Sequence, residues 1–134
     1  MDFIFTLEFK VRDYECDLQG IVNNSVYQNY FEHARHEFFL SRGISFAALS
    51  TSGINLVVTR AEVHYKAPLK SGDVFTVGLN HCALSKIRGQ FTQIIFQQDW
   101  KKPRAVGSFD YAAINTANKP VKLDEIFKKI TPEY

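Results

Sequence analysis

Residues 3–12 alternate between apolar and polar positions. Phe3, Phe5, Leu7, Phe9 and Val11 fall on one side, and Thr6, Glu8, Lys10 and Arg12 on the other. That two-residue period is a strand with one buried face. A polar stretch follows, Asp13-Tyr14-Glu15-Cys16-Asp17-Leu18-Gln19-Gly20, and reads as a loop closed by glycine. The period then changes. Val26, Tyr27, Tyr30, Phe31, Ala34, Phe38 and Phe39 recur at helical spacing. Asn23, Asn24 and Ser25 are all good N-cap residues, and Gly43 is a helix stop. The spacing therefore predicts one helix over residues 25–42, about 27 Å long at roughly 1.5 Å per residue. A short second helix is predicted through Phe46-Ala47-Ala48-Leu49, capped by Ser45.

Downstream the pattern returns to strands. Residues 54–68 set Val57, Thr59, Ala61, Val63 and Tyr65 against Val58, Arg60, Glu62, His64 and Lys66. Ser71-Gly72-Asp73 marks a turn. Strands over residues 73–84, 89–98 and 104–115 follow, separated by the turns Ser85-Lys86-Ile87-Arg88 and Asp99-Trp100-Lys101-Lys102-Pro103. Residues 123–130 are predicted as a short closing helix. A strand, a long helix and four long strands in a meander make an α+β domain. Its antiparallel sheet, about five strands, wraps one helix. The polar stripe Glu32, Arg35, His36 on that helix needs water or partners. The outer strands present unpaired edges, which a second subunit would complete.

The 134 residues fit one domain, 1–134, with no repeat or linker. Sixteen Lys and Arg against 14 Asp and Glu leave +2, too little to argue for a nucleic-acid partner. No apolar run approaches the roughly 20 residues of a membrane span. Met1-Asp2-Phe3-Ile4 lacks the basic and apolar regions of a signal peptide, so none is expected. Cys16 and Cys82 form neither a CxxC pair nor a disulfide framework, and a reducing cytoplasm is the expected home.

The loop from Asp13 to Ser25 carries the best candidate chemistry. It delivers the acid Asp17 just ahead of a helix N-terminus, where free N–H groups around Asn24 and Ser25 bear positive partial charge. Such donors can polarise a carbonyl and hold an oxyanion while a carboxylate attacks it or activates water. The competing reading is plainer: Asp17 is a turn residue and the asparagines cap the helix. Cys16 is a rival nucleophile without a histidine nearby in sequence, and both cysteines read better as structural thiols. His33 and His36, beside Glu32 and Glu37, have no second cluster that would make a metal site and read as helix-surface or interface residues. Lys86 and Arg88 sit in a predicted turn where they could grip a phosphate, or simply be solvated. There is no glycine-rich phosphate loop and no GxSxG.

Asp17-Leu18-Gln19-Gly20-Ile21-Val22-Asn23-Asn24-Ser25-Val26-Tyr27 resembles the signature of the 4-hydroxybenzoyl-CoA thioesterase branch of the hotdog-fold superfamily. Tyr30-Phe31-Glu32-His33-Ala34-Arg35 is similar to the family's helix continuation, an aromatic pair followed by Glu-x-Ala-Arg. Residues 61–73 resemble its second strand and turn. The resemblance spans roughly residues 5 to 130. It implies a long helix wrapped by a curved antiparallel sheet, a homodimer or a homotetramer (a dimer of dimers), and active sites at subunit interfaces. It also implies hydrolysis of acyl-CoA, or in some members acyl-carrier-protein, thioesters, with no cofactor and no metal. On this resemblance Asp17 matches the catalytic carboxylate, as nucleophile or as general base. Asn24 and Ser25 match the helix start whose backbone N–H binds the thioester carbonyl. Lys86 and Arg88 fall near a turn that contacts CoA phosphates in some relatives. The chain departs from many members with Ile21 after the glycine, and from others with Asn23-Asn24. Both changes alter the pocket wall and leave the carboxylate in place. A non-catalytic acyl-CoA or lipid-binding module and a hotdog dehydratase or hydratase are the alternative functions.

Overall fold

The helical period becomes α1 (Asn24–Ser41), which buries Tyr27, Tyr30, Phe31, Ala34, Arg35, Phe38 and Phe39 along one stripe in the computed structural model. The structure describes residues 2–131. Gly43 ends the helix as its sequence position suggested. With φ at +76°, it donates its N–H to Leu40 O at 3.0 Å, while Ile44 donates to Phe39 O at 2.9 Å. This paired closure suits glycine, which has no Cβ to clash in the left-handed region. The short helix α2 (Phe46–Thr51) follows, and the Ser45 side chain accepts its Ala48 N–H.

Around α1 lie β1 (Phe5–Lys10), β2 (Asn55–Tyr65), β3 (Val74–Ala83), β4 (Arg88–Phe96), β5 (Ala105–Ile114) and β6 (Pro120–Val121), with α3 (Asp124–Ile130) closing the chain. The sheet is antiparallel in the order β1-β3-β4-β5-β2, with β6 against β5. Its inner face meets the helix through aromatic contacts: Phe31 on Phe109 at 5.2 Å, Tyr30 on Phe9 at 5.5 Å and Phe38 on Phe91 at 5.8 Å. Gly107 on β5 makes room for this. A Cβ there would stand 2.6 Å from the Phe109 ring and 3.3 Å from Phe31. The helix wrapped by a curved antiparallel sheet is the hotdog architecture. No helix among the described residues is long and apolar enough to cross a membrane.

Three sequence expectations need correction. The first is the meander. β3, β4 and β5 form one, but β2 pairs with β5 at the far side of the sheet, not with β3. Residues 66–73 carry the chain across the sheet end. They are held there by Lys66 N–H to Arg104 O at 2.8 Å, Val22 N–H to Leu69 O at 2.8 Å and Leu69 N–H to Tyr27 Oη at 3.1 Å. The buried Leu69 pins the crossing, so Ser71-Gly72-Asp73 ends a crossover and not a hairpin.

The second is the alternation in β2, which a bulge interrupts. Val58 stands opposite Tyr111 and Arg60 opposite Asp110, leaving Thr59 as the extra residue. The face therefore switches. Leu56 and Val58 share the inner face with Ala61, Val63 and Tyr65, and Val57 turns outward with Arg60, Glu62 and His64. The third is β6, a two-residue strand beginning at a proline, too short to leave any periodic signal.

Candidate active site

The segment between β1 and α1 is rigid for a loop. Val11 N–H reaches Asp73 O at 2.8 Å, and Gly72 N–H returns to Val11 O at 3.0 Å. One turn of 3₁₀ helix, Asp13–Glu15, follows. Ser71 Oγ donates to Asp13 Oδ1. Glu15 is buried: its Oε1 accepts the Tyr30 hydroxyl at 2.9 Å and the Arg12 N–H at 2.8 Å. Its own carbonyl accepts Asn23 N–H at 3.1 Å, which fixes where the helix begins. Burial, then the Glu15 bond, push the Tyr30 hydroxyl far above its ordinary pKa, so it stays a donor. Sequence reasoning passed over Glu15. The three-residue spacing from Arg12 to Glu15, that of a capping box, was the available signal.

Between these anchors residues 17–21 form a tight turn. Asp17 N–H donates to Ile21 O at 2.9 Å and Gly20 N–H to Asp17 O at 3.0 Å. Bridges from Cys16 to Val22 and from Ile21 to Lys70 hold its base. The Asp17 side chain is exposed, and its Oδ1 accepts the Gln19 N–H at 2.8 Å. Asn23 occupies the N-cap position of α1 without a side-chain cap bond. Asn24 and Ser25, both exposed, open an 18-residue helix at its positive end, where the first backbone N–H groups have no partner within the helix. Tyr65 Oη donates to Asn24 O at 3.2 Å, tying the end of β2 to this helix start. Carboxylate and helix N-terminus thus sit on adjacent, braced segments.

Cys16 is a poor thiolate. Burial, then the carboxylates of Asp13, Asp17 and Glu15, push its thiol above the ordinary value.

Lys86 is exposed in the turn between β3 and β4, whereas Arg88, expected in the same turn, is the exposed first residue of β4 and stands opposite Ala112. The Asp17 turn lies at the start of β3 and this turn at its end. The ten residues of β3 put about 30 Å between them at roughly 3.3 Å per residue. One subunit therefore does not bring the two groups together.

A half-open pocket between the helices and the sheet also lies away from Asp17. It measures about 240 Å³ between α1, α2 and the start of β2, with Phe39, Phe46, Val58, Phe109 and Tyr111 among its walls. Arg35 lines it as well. The guanidinium is buried, donates through Nη1 to Gln93 Oε1 at 2.8 Å and lies 4.2 Å from the Phe109 ring centroid. Gln93, fully buried, passes its Nε2–H to Phe31 O at 3.0 Å. Burial lowers the Arg35 pKa to about 10, which leaves it charged at neutral pH. So the polar stripe on the helix is partnered inside the protein at Arg35. His36 and His33 lie nearer the surface, 3.7 Å from Glu32 and 3.9 Å from Glu37.

The Thioesterase-like superfamily profile matches residues 11–130. Over 97 residues, 72% of this chain, the sequence is 43% identical to the chloroplastic acyl-acyl carrier protein thioesterase ATL2 of Arabidopsis thaliana, covering 52% of that protein. The chain thus spans about half the length of that relative. A hypothetical protein from Aquifex aeolicus superposes with a TM-score of 0.88 at 34% identity, over 95% of this chain and 99% of that one. A 1,4-dihydroxy-2-naphthoyl-CoA thioesterase from Synechocystis gives the same TM-score at 22% identity over 94% of each chain, a likeness of fold. With the helix, the wrapping sheet and this match over nearly its whole length, the chain belongs to the Thioesterase-like superfamily.

Proposed function

We propose that the chain hydrolyses an acyl thioester, carried on coenzyme A or on acyl carrier protein, to the free acid and thiol. Asp17 is the catalytic carboxylate, and the N–H groups of Asn24 and Ser25 are the oxyanion site. One observation carries this reading: an exposed carboxylate on a braced turn precedes a long helix whose N-cap side chain makes no cap bond. The carboxylate acts on the thioester carbonyl carbon directly, or takes a proton from the water that does. Either route develops negative charge on the carbonyl oxygen, where helix N-terminal N–H groups are most useful. Membership of the superfamily supports thioester chemistry for the chain.

The reading extends to assembly and location. A homodimer is supported by the open edge of β2 and by exposed apolar side chains at Tyr14, Leu18, Val58 and Tyr65. Lys86 and Arg88 contact the phosphates of the thiol carrier. Both cysteines are free, in keeping with a reducing compartment such as the cytoplasm.

The test is a panel of short, long and aromatic acyl-CoA and acyl-carrier-protein thioesters, with thiol release read directly. At least one should turn over well above the buffer rate. Tight binding across the panel with no thiol released would identify a non-catalytic acyl-binding protein and end the proposal.

A further inference from the structure

Glu15 carries an ionisable side chain into the interior two residues before Asp17, and the proposed chemistry leaves it unused. Its hydrogen bonds reach α1 at two places. The carbonyl accepts the Asn23 N–H at 3.1 Å, at the N-cap. Oε1 accepts the Tyr30 hydroxyl at 2.9 Å, in the second turn of the helix. The same oxygen accepts the Arg12 N–H at 2.8 Å, which holds the side chain from the β1 side. Oε2 lies 3.8 Å from the mostly exposed Arg12 guanidinium. Tyr30 has little freedom to follow a displaced acceptor. It is buried, and its ring centroid lies 4.7 Å from that of Phe75 and 5.5 Å from that of Phe9.

We infer that Glu15 is a positioning residue, which sets the separation and angle between the Asp17 carboxylate and the N–H groups of Asn24 and Ser25. This rests on Asp17 and the helix start as the site, and adds what holds them in register. The turn over residues 17–21 is closed by its own bonds, Asp17 N–H to Ile21 O and Gly20 N–H to Asp17 O, so it moves as a unit on its base. Other ties run through the crossover. Val22 N–H and Tyr27 Oη both bond Leu69, which joins turn and helix to a third segment. Glu15 joins them directly. Anchors at Asn23 and Tyr30 fix the rotation of the helix start as well as its height, since the two lie about two turns apart at roughly 3.6 residues per turn. The bond to Tyr30 needs an oxygen at the end of a side chain of this length. Glutamine supplies one and alanine does not. Removing it leaves the buried Tyr30 hydroxyl and the Arg12 N–H without their acceptor, and both must move to find another. Misplacement of catalytic groups by about 1 Å costs up to roughly a hundredfold in rate.

The experiment measures kcat, KM and melting temperature of the full chain for Glu15→Ala, Glu15→Gln and Tyr30→Phe, beside the parent and Asp17→Asn. The substrate is the best thioester of the panel, and the assay runs well below every melting point. Glu15→Ala should lower kcat by about ten- to a hundredfold with KM nearly unchanged, because geometry is lost and binding is not. Glu15→Gln should bring kcat back to within a factor of a few of the parent. Its oxygen accepts both donors, and its amide nitrogen faces the cleft that Glu15 and Arg12 line. Tyr30→Phe keeps the ring and loses the bond, so kcat should fall in the same direction. Glu15→Ala combined with Tyr30→Phe should be no slower than Glu15→Ala alone, since both remove one shared bond. Parental kcat in Glu15→Ala overturns the positioning role, whatever its melting temperature. So does a loss confined to KM. Glu15→Gln as slow as Glu15→Ala overturns it too, because the charge and not the bond would then be needed. If Glu15→Ala does not fold, Tyr30→Phe decides, and an unchanged kcat there is the overturning result. Asp17→Asn at parental speed ends the reading of the site itself. Asp17→Asn slow and Glu15→Ala fast ends only the role of Glu15.

Discussion

Asp17→Asn separates the catalytic reading from the structural one because the turn barely depends on the charge. Its two backbone hydrogen bonds, Asp17 N–H to Ile21 O and Gly20 N–H to Asp17 O, involve no side chain. The third, from Gln19 N–H to Oδ1 at 2.8 Å, remains available to asparagine, which keeps an oxygen at that position. What is lost is the charge on one exposed acceptor, about 0.5–1 kcal/mol. In a chain of this size that lowers the melting temperature by about 2–6 °C. The chemical cost is of another order. Asparagine neither attacks a carbonyl as a carboxylate does nor takes a proton from water. A positioned base contributes about 10²–10⁴-fold, or roughly 2.7–5.5 kcal/mol of barrier. The assay follows thiol release from the best substrate of the panel, with kcat and melting temperature measured on one preparation. We expect kcat to fall at least about a hundredfold with the fold retained. Cys16→Ala is the control and should keep turnover within a factor of a few, because neighbouring carboxylates disfavour the thiolate. If Asp17→Asn melts normally and still turns over within a factor of ten of the parent, the carboxylate is not catalytic. The proposed mechanism then fails.

Replacing both Lys86 and Arg88 with Ala should raise KM with little change in kcat, the pattern of lost uniform binding. The effect should shrink at high salt; a fall in kcat at constant KM would remove both residues from carrier binding. Gly107→Ala should destabilise the protein by about 1–3 kcal/mol in denaturant titration, because the new Cβ meets the rings of Phe109 and Phe31. An unchanged midpoint would contradict the tight seating of α1. Burial lowers the His81 pKa to about 4, and the ring is bonded to Tyr111 at 2.8 Å. The unfolded chain, with His near 6.5, takes up the proton first as pH falls, so stability present above about pH 6.5 is lost progressively toward pH 4. The fall in melting temperature over that window should be smaller in His81→Asn, and equal slopes would show that His81 is not responsible.

Much of the architecture could be read from the chain because each element carries its own period. The strip from Phe5 to Lys10, the aromatic stripe of α1 and the stop at Gly43 all depend on near neighbours. So does the cap at Ser45. The readings that failed depend on contacts distant in sequence. Nothing in residues 66–73 states that they cross the sheet end, since the crossing is fixed by Arg104, Val22 and Tyr27. The bulge at Thr59 is invisible because Val57 and Val58 are equally apolar, so either parity looks consistent. At the candidate site Asp17 and the helix start could be proposed together from the sequence because they are neighbours in the chain. Glu15 was missed because its partner, Tyr30, lies a loop and two helical turns away. The separation of Lys86 and Arg88 from Asp17 follows from the order of strands, which no local pattern encodes.

The contact between Arg35 and Gln93 also bears on how the chain reaches this fold. The two residues are 58 positions apart, and Gln93 is bonded in turn to Phe31 O. A guanidinium on the inner stripe of α1 finds its neutral acceptor only when β4 already lies alongside β3 and β5. A helix rotated by one residue, or slid by one turn, would still bury aromatic rings acceptably, since those contacts are tolerant of small shifts. It would also leave a charge against hydrocarbon, which is not tolerated. The pair therefore works as an alignment pin. It rejects the misdocked arrangements that greasy surfaces alone would accept, and so fixes the rotation and height of α1 against the sheet.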